Sequence, residues 1–217
     1  DSTEILQSLV FTLSNQSAQL SRRPNFRINY GGLNWAGMTS LTYTQYHDIQ
    51  MGRRILPWTP AQHLSNTQLT CLPTTIGSID TIRTPEDPYT QYNTSYEQRN
   101  ITQKFKVRLA ERTTFKSGVH FSLTGEVNRY DRFTEMMNGS PKYAQWNYGP
   151  QAWIMSYISI ENRDITAISD WMKFTLSGQY FEESRNIRKF KAPSGNLQLE
   201  QAYIHQVNFY SSKKNSA

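Results

Sequence analysis

Cysteine is nearly absent from this chain. Cys71 is its sole thiol, so no intrachain disulfide can hold the fold together. No apolar run approaches the roughly 20 residues that a membrane-spanning helix needs. Charged residues make up only 18% of the 217, and no run of five or six basic residues occurs. A net charge of +6 spread this thinly gives no basic stripe of the kind nucleic acid requires, and no nucleic-acid partner is expected. Catalytic chemistry is missing too. There is no phosphate-cradling glycine loop or dinucleotide fingerprint and no Gly-x-Ser-x-Gly elbow. His47, His63, His120 and His205 are widely separated and match no zinc-ligand spacing. Glu182 and Glu183 are neighbours on a candidate strand, so their side chains point to opposite faces and cannot act as a pair. These absences argue against an enzyme and against a bound cofactor.

What is present is aromatic and polar. Hydrophobic residues reach only 37% and mean hydropathy is -0.67, yet aromatics make up 13%, with 13 Tyr, 10 Phe and 5 Trp. Disordered chains are poor in such residues, so the composition suits a folded protein wet on one side and lipid-facing on the other. From Val119 to Val127 the odd positions read Val, Phe, Leu, Gly, Val and the even ones His, Ser, Thr, Glu. That alternation has period two and describes a strand with one apolar and one polar face. In Trp171–Tyr180 the even set Met172, Phe174, Leu176, Gly178, Tyr180 is apolar and Lys173, Thr175, Ser177, Gln179 polar. Lys104, Lys106 and Arg108 alternate with Phe105, Val107 and Leu109, which places three cations on one face.

Alternation predicts about eight strands: Ile5–Ser14 (weak, and open to being partly helical), Asn25–Tyr30, Asn34–Met51, Ile101–Ala110, Val119–Phe133, Trp153–Glu161, Trp171–Glu183 and Leu197–Tyr210. The links Gly31–Leu33, Glu111–Ser117 and Asn162–Asp170 are short. Residues 52–99, which hold most of the prolines, are long and irregular, and 134–152 and 186–196 are longer than the first set. Short and long connections sorted by end predict a transmembrane β-barrel wall, with periplasmic turns at one end and extracellular loops at the other. Asn34–Met51 then runs outward. Trp35, Trp153 and Trp171 fall near strand ends, where an aromatic girdle is expected. Trp153–Ile160 is apolar on both faces and strains a simple water-filled lumen.

Arg129-Tyr130-Asp131-Arg132-Phe133-Thr134-Glu135 is followed by Lys142-Tyr143-Ala144-Gln145-Trp146-Asn147-Tyr148-Gly149-Pro150-Gln151. With Asn29-Tyr30-Gly31-Gly32, Thr39–Tyr43, Asp48–Gly52, Phe181–Arg185 and Arg188–Phe190, this order resembles the barrel of TonB-dependent outer-membrane receptors of Bacteroidetes type, from about Asn25 onward. The resemblance implies a cell-outer-membrane importer of a scarce ligand such as a ferric siderophore, haem, cobalamin or glycan, energised by the TonB complex through a plug inside a barrel of about 22 strands. Set against that family, the chain shows no plug and no TonB box. It starts Asp1-Ser2-Thr3-Glu4 without a signal peptide and ends Lys213-Lys214-Asn215-Ser216-Ala217. Residues 1–217 are therefore expected to be a mid-barrel segment of about eight strands.

On that expectation Trp58, His63, Tyr89, Tyr92 and Tyr96 lie in the extracellular loop 52–99 and can contact the ligand. His47 and Met51 at its threshold are candidate haem ligands, and Tyr143, Trp146 and Tyr148 are contact candidates in the second loop. Lys104, Lys106, Arg108 and Lys173 line the lumen, and any metal is unspecified. Two other readings stand beside this one. The chain is alternatively a self-contained eight-stranded outer-membrane barrel with a structural or adhesive role, or a soluble β-barrel or sandwich binding module.

Overall fold

Consecutive alternating segments joined by short links favour antiparallel neighbours, because a tight turn returns the chain beside itself. A computed structural model describes residues 6–16, 21–52, 72–87, 89–163, 169–193 and 196–212. Its strands are β1 (Leu6–Gln16), β2 (Ser21–Gly31), β3 (Trp35–Tyr46), β4 (Ile49–Gln50), β5 (Leu72–Ile76), β6 (Ile79–Arg83), β7 (Thr90–Gln91), β8 (Tyr96–Ala110), β9 (Thr113–Thr124), β10 (Val127–Asn128), β11 (Met136–Met137), β12 (Ser140–Pro141), β13 (Tyr143–Arg163), β14 (Trp171–Lys189) and β15 (Asn196–Ser212). One helical turn, α1 (Tyr130–Phe133), interrupts them.

The protein is all-β. A nine-stranded antiparallel sheet follows the path β1-β2-β3-β8-β9-β13-β14-β15, with β10 joined to β13 beside it. The path is open, and β1 and β15 are its edges. Every one of the eight sequence-predicted strands has a counterpart on this path, and the first is strand rather than helix. Several boundaries differ. β13 starts at Tyr143 rather than Trp153, so much of the expected loop 134–152 is strand, and β14 runs on to Lys189 rather than Glu183. β3 stops at Tyr46 rather than Met51, and β2 starts at Ser21 rather than Asn25. β9 starts at Thr113, so the link after β8 is only Glu111–Arg112. It stops at Thr124, and Tyr130–Phe133 is a helical turn rather than the end of a strand, since Gly125-Glu126 breaks the ladder. β8 starts at Tyr96, where pairing with Tyr46 continues the β3 register, so the irregular stretch is shorter than 52–99. It also contains the hairpin β5–β6 and the strand β7, which pairs with β4 just ahead of it.

Register turns the local alternation into two continuous faces. Phe11, Phe26, Leu41, Ile101, Phe121, Ile154, Tyr180 and Tyr203 stand directly opposite one another from strand to strand. Trp35, Val107, Phe115, Ile160, Phe174 and Phe209 make a second such row. The two rows are roughly 20 Å apart along β9, at about 3.3 Å per residue. The positions between them on this face include no Lys, Arg, Asp or Glu. A polar trio there is satisfied internally: Thr39 Oγ1 donates to Gln103 Oε1 (2.5 Å) and Gln103 Nε2 to the Tyr30 hydroxyl (2.6 Å). The opposite face carries Ser8, Asn25, Thr42, Asn100, Thr102, Lys104, His120, Ser122, Gln179 and their neighbours.

The apolar face is uncovered. Among the described residues Leu72, Phe133 and Tyr143 are the only buried large hydrophobics, while Phe174 is 44% exposed, Leu176 42% and Val207 62%. The sheet therefore has faces but almost no core. Two glycines admit tyrosine rings laid across a neighbouring strand. A Cβ on Gly37 would meet the Tyr30 ring at 2.1 Å on the apolar face, and one on Gly118 the Tyr157 ring at 2.5 Å on the polar face. Glycine weakens a strand unless something covers it, and here the ring does. Gly118→Val should thus lower the urea midpoint by the equivalent of about 1 kcal/mol or more. In a Tyr157→Ala background the same change should raise the midpoint, because valine then shows its ordinary β preference. The same sign in both backgrounds would refute the pairing.

Candidate functional site

The polar face is zoned along the strands. At the end of the tight links Gly32–Asn34 and Glu111–Arg112 lie Lys104, Lys106, Arg108, Lys116 and Lys173, all on this face by register. Alternation groups four of these; the fifth, Lys116, lies in the expected link Glu111–Ser117, which is strand from Thr113 onward. Lys116 Nζ pairs with Glu161 at 2.7 Å, the one carboxylate among these positions. The zone is strongly cationic.

Above it the face is neutral. Gln98, Asn100, Thr102, His120, Ser122, Thr124, Gln151, Trp153, Met155, Gln179 and Phe181 occupy successive register positions of β8, β9, β13 and β14. Trp153 therefore sits on the polar face, not in an apolar-face girdle, with its ring 5.0 Å from His120 and its Nε1 donating to Gln179 Oε1 at 3.2 Å. This accounts for Trp153–Ile160 being apolar on both sides: Ile154, Ile158 and Ile160 serve one face, and Trp153, Met155 and Tyr157 pack on the other. Trp35 does begin β3 on the apolar face, 6.3 Å from Phe105, while Trp171 begins β14 on the polar side.

At the far end the loops fold onto extensions of β13 and β14. Asp48 Oδ1 accepts the N–H groups of Thr94 (2.8 Å) and Ser95 (2.9 Å), and Met51 donates its N–H to Tyr89 O at 2.8 Å. The segment through His47, Asp48 and Met51 is thereby clamped to the strand β8 approach. The Tyr92 hydroxyl accepts the Asp87 N–H (3.0 Å), and its ring packs against Leu72 and Phe133. Tyr96 stacks on Tyr46 at 4.4 Å. Trp58 and His63 lie outside the described residues. Among those described, no cluster of His, Cys, Asp or Glu could hold a metal ion.

The segment Arg129–Gln151 builds an aromatic and ionic brace. Arg132 lies 4.5 Å over the Trp146 ring and pairs with Glu135. Glu135 also meets Lys142 at 2.7 Å, and Lys142 sits 5.0 Å over Tyr143. Tyr143 meets Trp146 edge-on at 4.6 Å. Arg129 holds Asp131 bidentately (2.8 and 2.6 Å) and donates to the Tyr148 hydroxyl at 3.1 Å, while Arg185 lies 5.0 Å over the Tyr148 ring. The structure thus brings Tyr143, Trp146 and Tyr148 together, but largely as packing for their own cations. Hydrogen bonds from Lys142 and Arg132 hold the Glu135 carboxyl below its usual range, and those from Arg129 do the same for Asp131.

The contact that docks the long loop was not visible in the sequence. Arg188 Nη1 and Nη2 grip Asp80 of β6 at 2.7 and 2.8 Å, and Lys191 N–H donates to the same carboxylate at 2.7 Å. The Asp80 side chain is only 2% exposed. More than a hundred residues separate the partners, and no local pattern links them. Comparison of the chain with protein-family models, characterised proteins and solved structures gave no match.

The Arg188 hydrogen bonds hold the Asp80 carboxyl down at about 2. A depressed carboxyl stabilises the folded form above its unfolded value near 3.8, and that contribution disappears as pH falls through about 2. Protease protection of Leu72–Arg83 should accordingly survive at pH 4 and vanish near pH 2. Asp80→Asn should remove it at neutral pH, weakening docking by roughly 1.5–3 kcal/mol. An unchanged cleavage pattern in the variant would exclude this anchor.

Proposed function

We propose that the chain is part of the wall and external loops of an outer-membrane TonB-dependent receptor that takes up a scarce small ligand. The observation that carries this is the wide apolar face, uncovered, free of charge between two aromatic-rich rows roughly 20 Å apart. Soluble monomers rarely expose apolar patches beyond a few hundred Å², whereas a membrane barrel presents an apolar band flanked by aromatic girdles to lipid. Eleven residues or so per crossing, as in β9 from Thr113 to Leu123, match the 9–11 that a spanning strand needs.

The opposite face then lines the aqueous interior, where Lys104, Lys106, Arg108 and Lys173 are tolerated. The tight links lie on the periplasmic side, and the braced loops lie outside. The open edges β1 and β15 favour a stave of a larger barrel, since unpaired strand edges are costly in lipid. Order and spacing of the motifs from Asn25 onward support the receptor family, with the TonB complex as partner through a plug. The ligand class follows from the family only as far as siderophore, haem, cobalamin or glycan. No catalytic step is part of this reading.

Cysteine accessibility tests the membrane assignment. In a Cys71→Ser background in outer-membrane vesicles, Phe174→Cys and Leu176→Cys should resist a membrane-impermeant maleimide, while Thr175→Cys and Ser177→Cys react. Equal labelling of the two sets would sink the proposal. Leu176→Arg should cost about 2–4 kcal/mol at the bilayer midplane and deplete the folded form, with Ser177→Arg near neutral. The importer role fails if deleting the energising complex leaves uptake of the chain's nutrient intact.

A further inference from the structure

The neutral zone of the polar face has a feature that the loops and the cationic zone lack: a ring system surrounded by uncharged groups with unused hydrogen-bonding capacity. A depression of about 370 Å³ is lined by Gln98, Ser122, Gln151, Trp153, Gln179 and Phe181, among others. A second, of about 320 Å³, adjoins it on the His120 side and shares Trp153. The indole thus stands as a ridge between two hollows. Trp153 and Phe181 stand directly opposite each other across β13 and β14, and both line the first hollow.

The amides around these rings are held at one end. Gln98 Nε2 donates to Ser122 Oγ (3.1 Å), Gln151 Nε2 to Glu183 Oε2 (2.9 Å), and Gln179 Oε1 accepts from Trp153 Nε1 (3.2 Å). Each is oriented by that bond. Its remaining atoms, Gln98 Oε1, Gln151 Oε1 and Gln179 Nε2, face no partner among the described residues. The zone therefore offers fixed acceptors and a fixed donor around an aromatic face. The first hollow has the Glu183 carboxylate at its margin, which repels an anion, while Lys104 lines the far side of the second.

We propose that this zone is a subsite for a neutral carbohydrate, one pyranose ring lying on Trp153 and Phe181 with its hydroxyls bridging Gln98, Gln151 and Gln179. Hydroxyl groups donate and accept at once, so they match a set of mixed half-used amides better than a carboxylate or catecholate does. The axial C–H face of a sugar fits the negative face of an indole. An anionic ligand would instead choose the lysines of the opposite zone. The inference rests on the receptor reading and selects the glycan among its ligand classes.

The test uses the full-length protein purified in detergent, titrated with a panel of neutral gluco-, manno-, galacto-, xylo- and fructo-oligosaccharides, with a ferric tricatecholate as the anionic comparator. Binding of at least one saccharide should quench or shift tryptophan fluorescence. Trp153→Ala should weaken that binding about tenfold or more, and Gln98→Ala and Gln151→Ala by several fold, whereas Trp35→Phe on the opposite face should change nothing. No saccharide binding, binding of the tricatecholate alone, or saccharide binding indifferent to Trp153→Ala each overturns the subsite. Face-selective labelling at Phe174 and Thr175 positions, run on the same variants, reports whether the wall is intact. If labelling persists while saccharide binding is absent, the subsite alone is wrong; if the labelling pattern is lost in the parent protein, the receptor reading falls.

Discussion

Everything in this molecule depends on the antiparallel hydrogen-bond ladder holding a single sheet in one register. Among the described residues there is almost no buried apolar cluster to do the work that a core does in a soluble domain; Leu72 and Phe133 form one small nucleus, and it belongs to the loops. The backbone pairs of β13 with β9 and β14 run without interruption from Gln151 to Asn162. On the membrane reading proposed above such bonds face no competition from water, so a ladder can carry a fold that has faces but no interior. A one-residue slip would move every side chain to the wrong face, and Arg27, Lys104 and Lys116 would then lie among Phe26, Phe105 and Phe115.

That constraint explains details that look local. Gln103 and Thr39 stand in the middle of the apolar face, and they are tolerated because each satisfies the other and Tyr30 closes the network. Gly37 and Gly118 are strand-weakening residues placed where a tyrosine ring from the adjacent strand needs the room. The bulge between Tyr148 and Gln151 ends the regular wall. Beyond it Ser184 donates to the Gly149 carbonyl, and Asn186 Nδ2 reaches the same oxygen at 3.4 Å. The extension then serves as a platform for α1 and the β5–β6 hairpin.

The motif segments that carry the resemblance have physical jobs here, and most of those are bracing. Asp48 ties the start of the long loop to its end. Arg129, Arg132, Glu135 and Lys142 pin the second loop against Trp146 and Tyr148. The Glu-Glu-Ser-Arg run places Glu183 on Gln151 and Arg185 on Tyr148. Candidate contact residues chosen for being aromatic in a loop, such as Tyr92 and Tyr96, are engaged in packing. The residues with capacity to spare lie lower, on the wall, at positions of ordinary polar composition.

The sequence by itself determined the strands, their two faces and their up-and-down order, because alternation of period two is a property of the extended backbone and can be read from neighbours alone. It also placed Lys104, Lys106, Arg108 and Lys173 on the polar side for the same reason. Where Gly125-Glu126 breaks the ladder, alternation misleads: Val127-Asn128 is a separate short strand, and Phe133 belongs to α1 rather than to a strand. The tertiary structure alone decided which residues stand beside which. Gln98, Ser122, Gln151, Trp153 and Gln179 come from four strands, and Asp80 meets Arg188 across more than a hundred residues. Such neighbours depend on register, turn length and bulges, which are non-local quantities that no window along the chain contains.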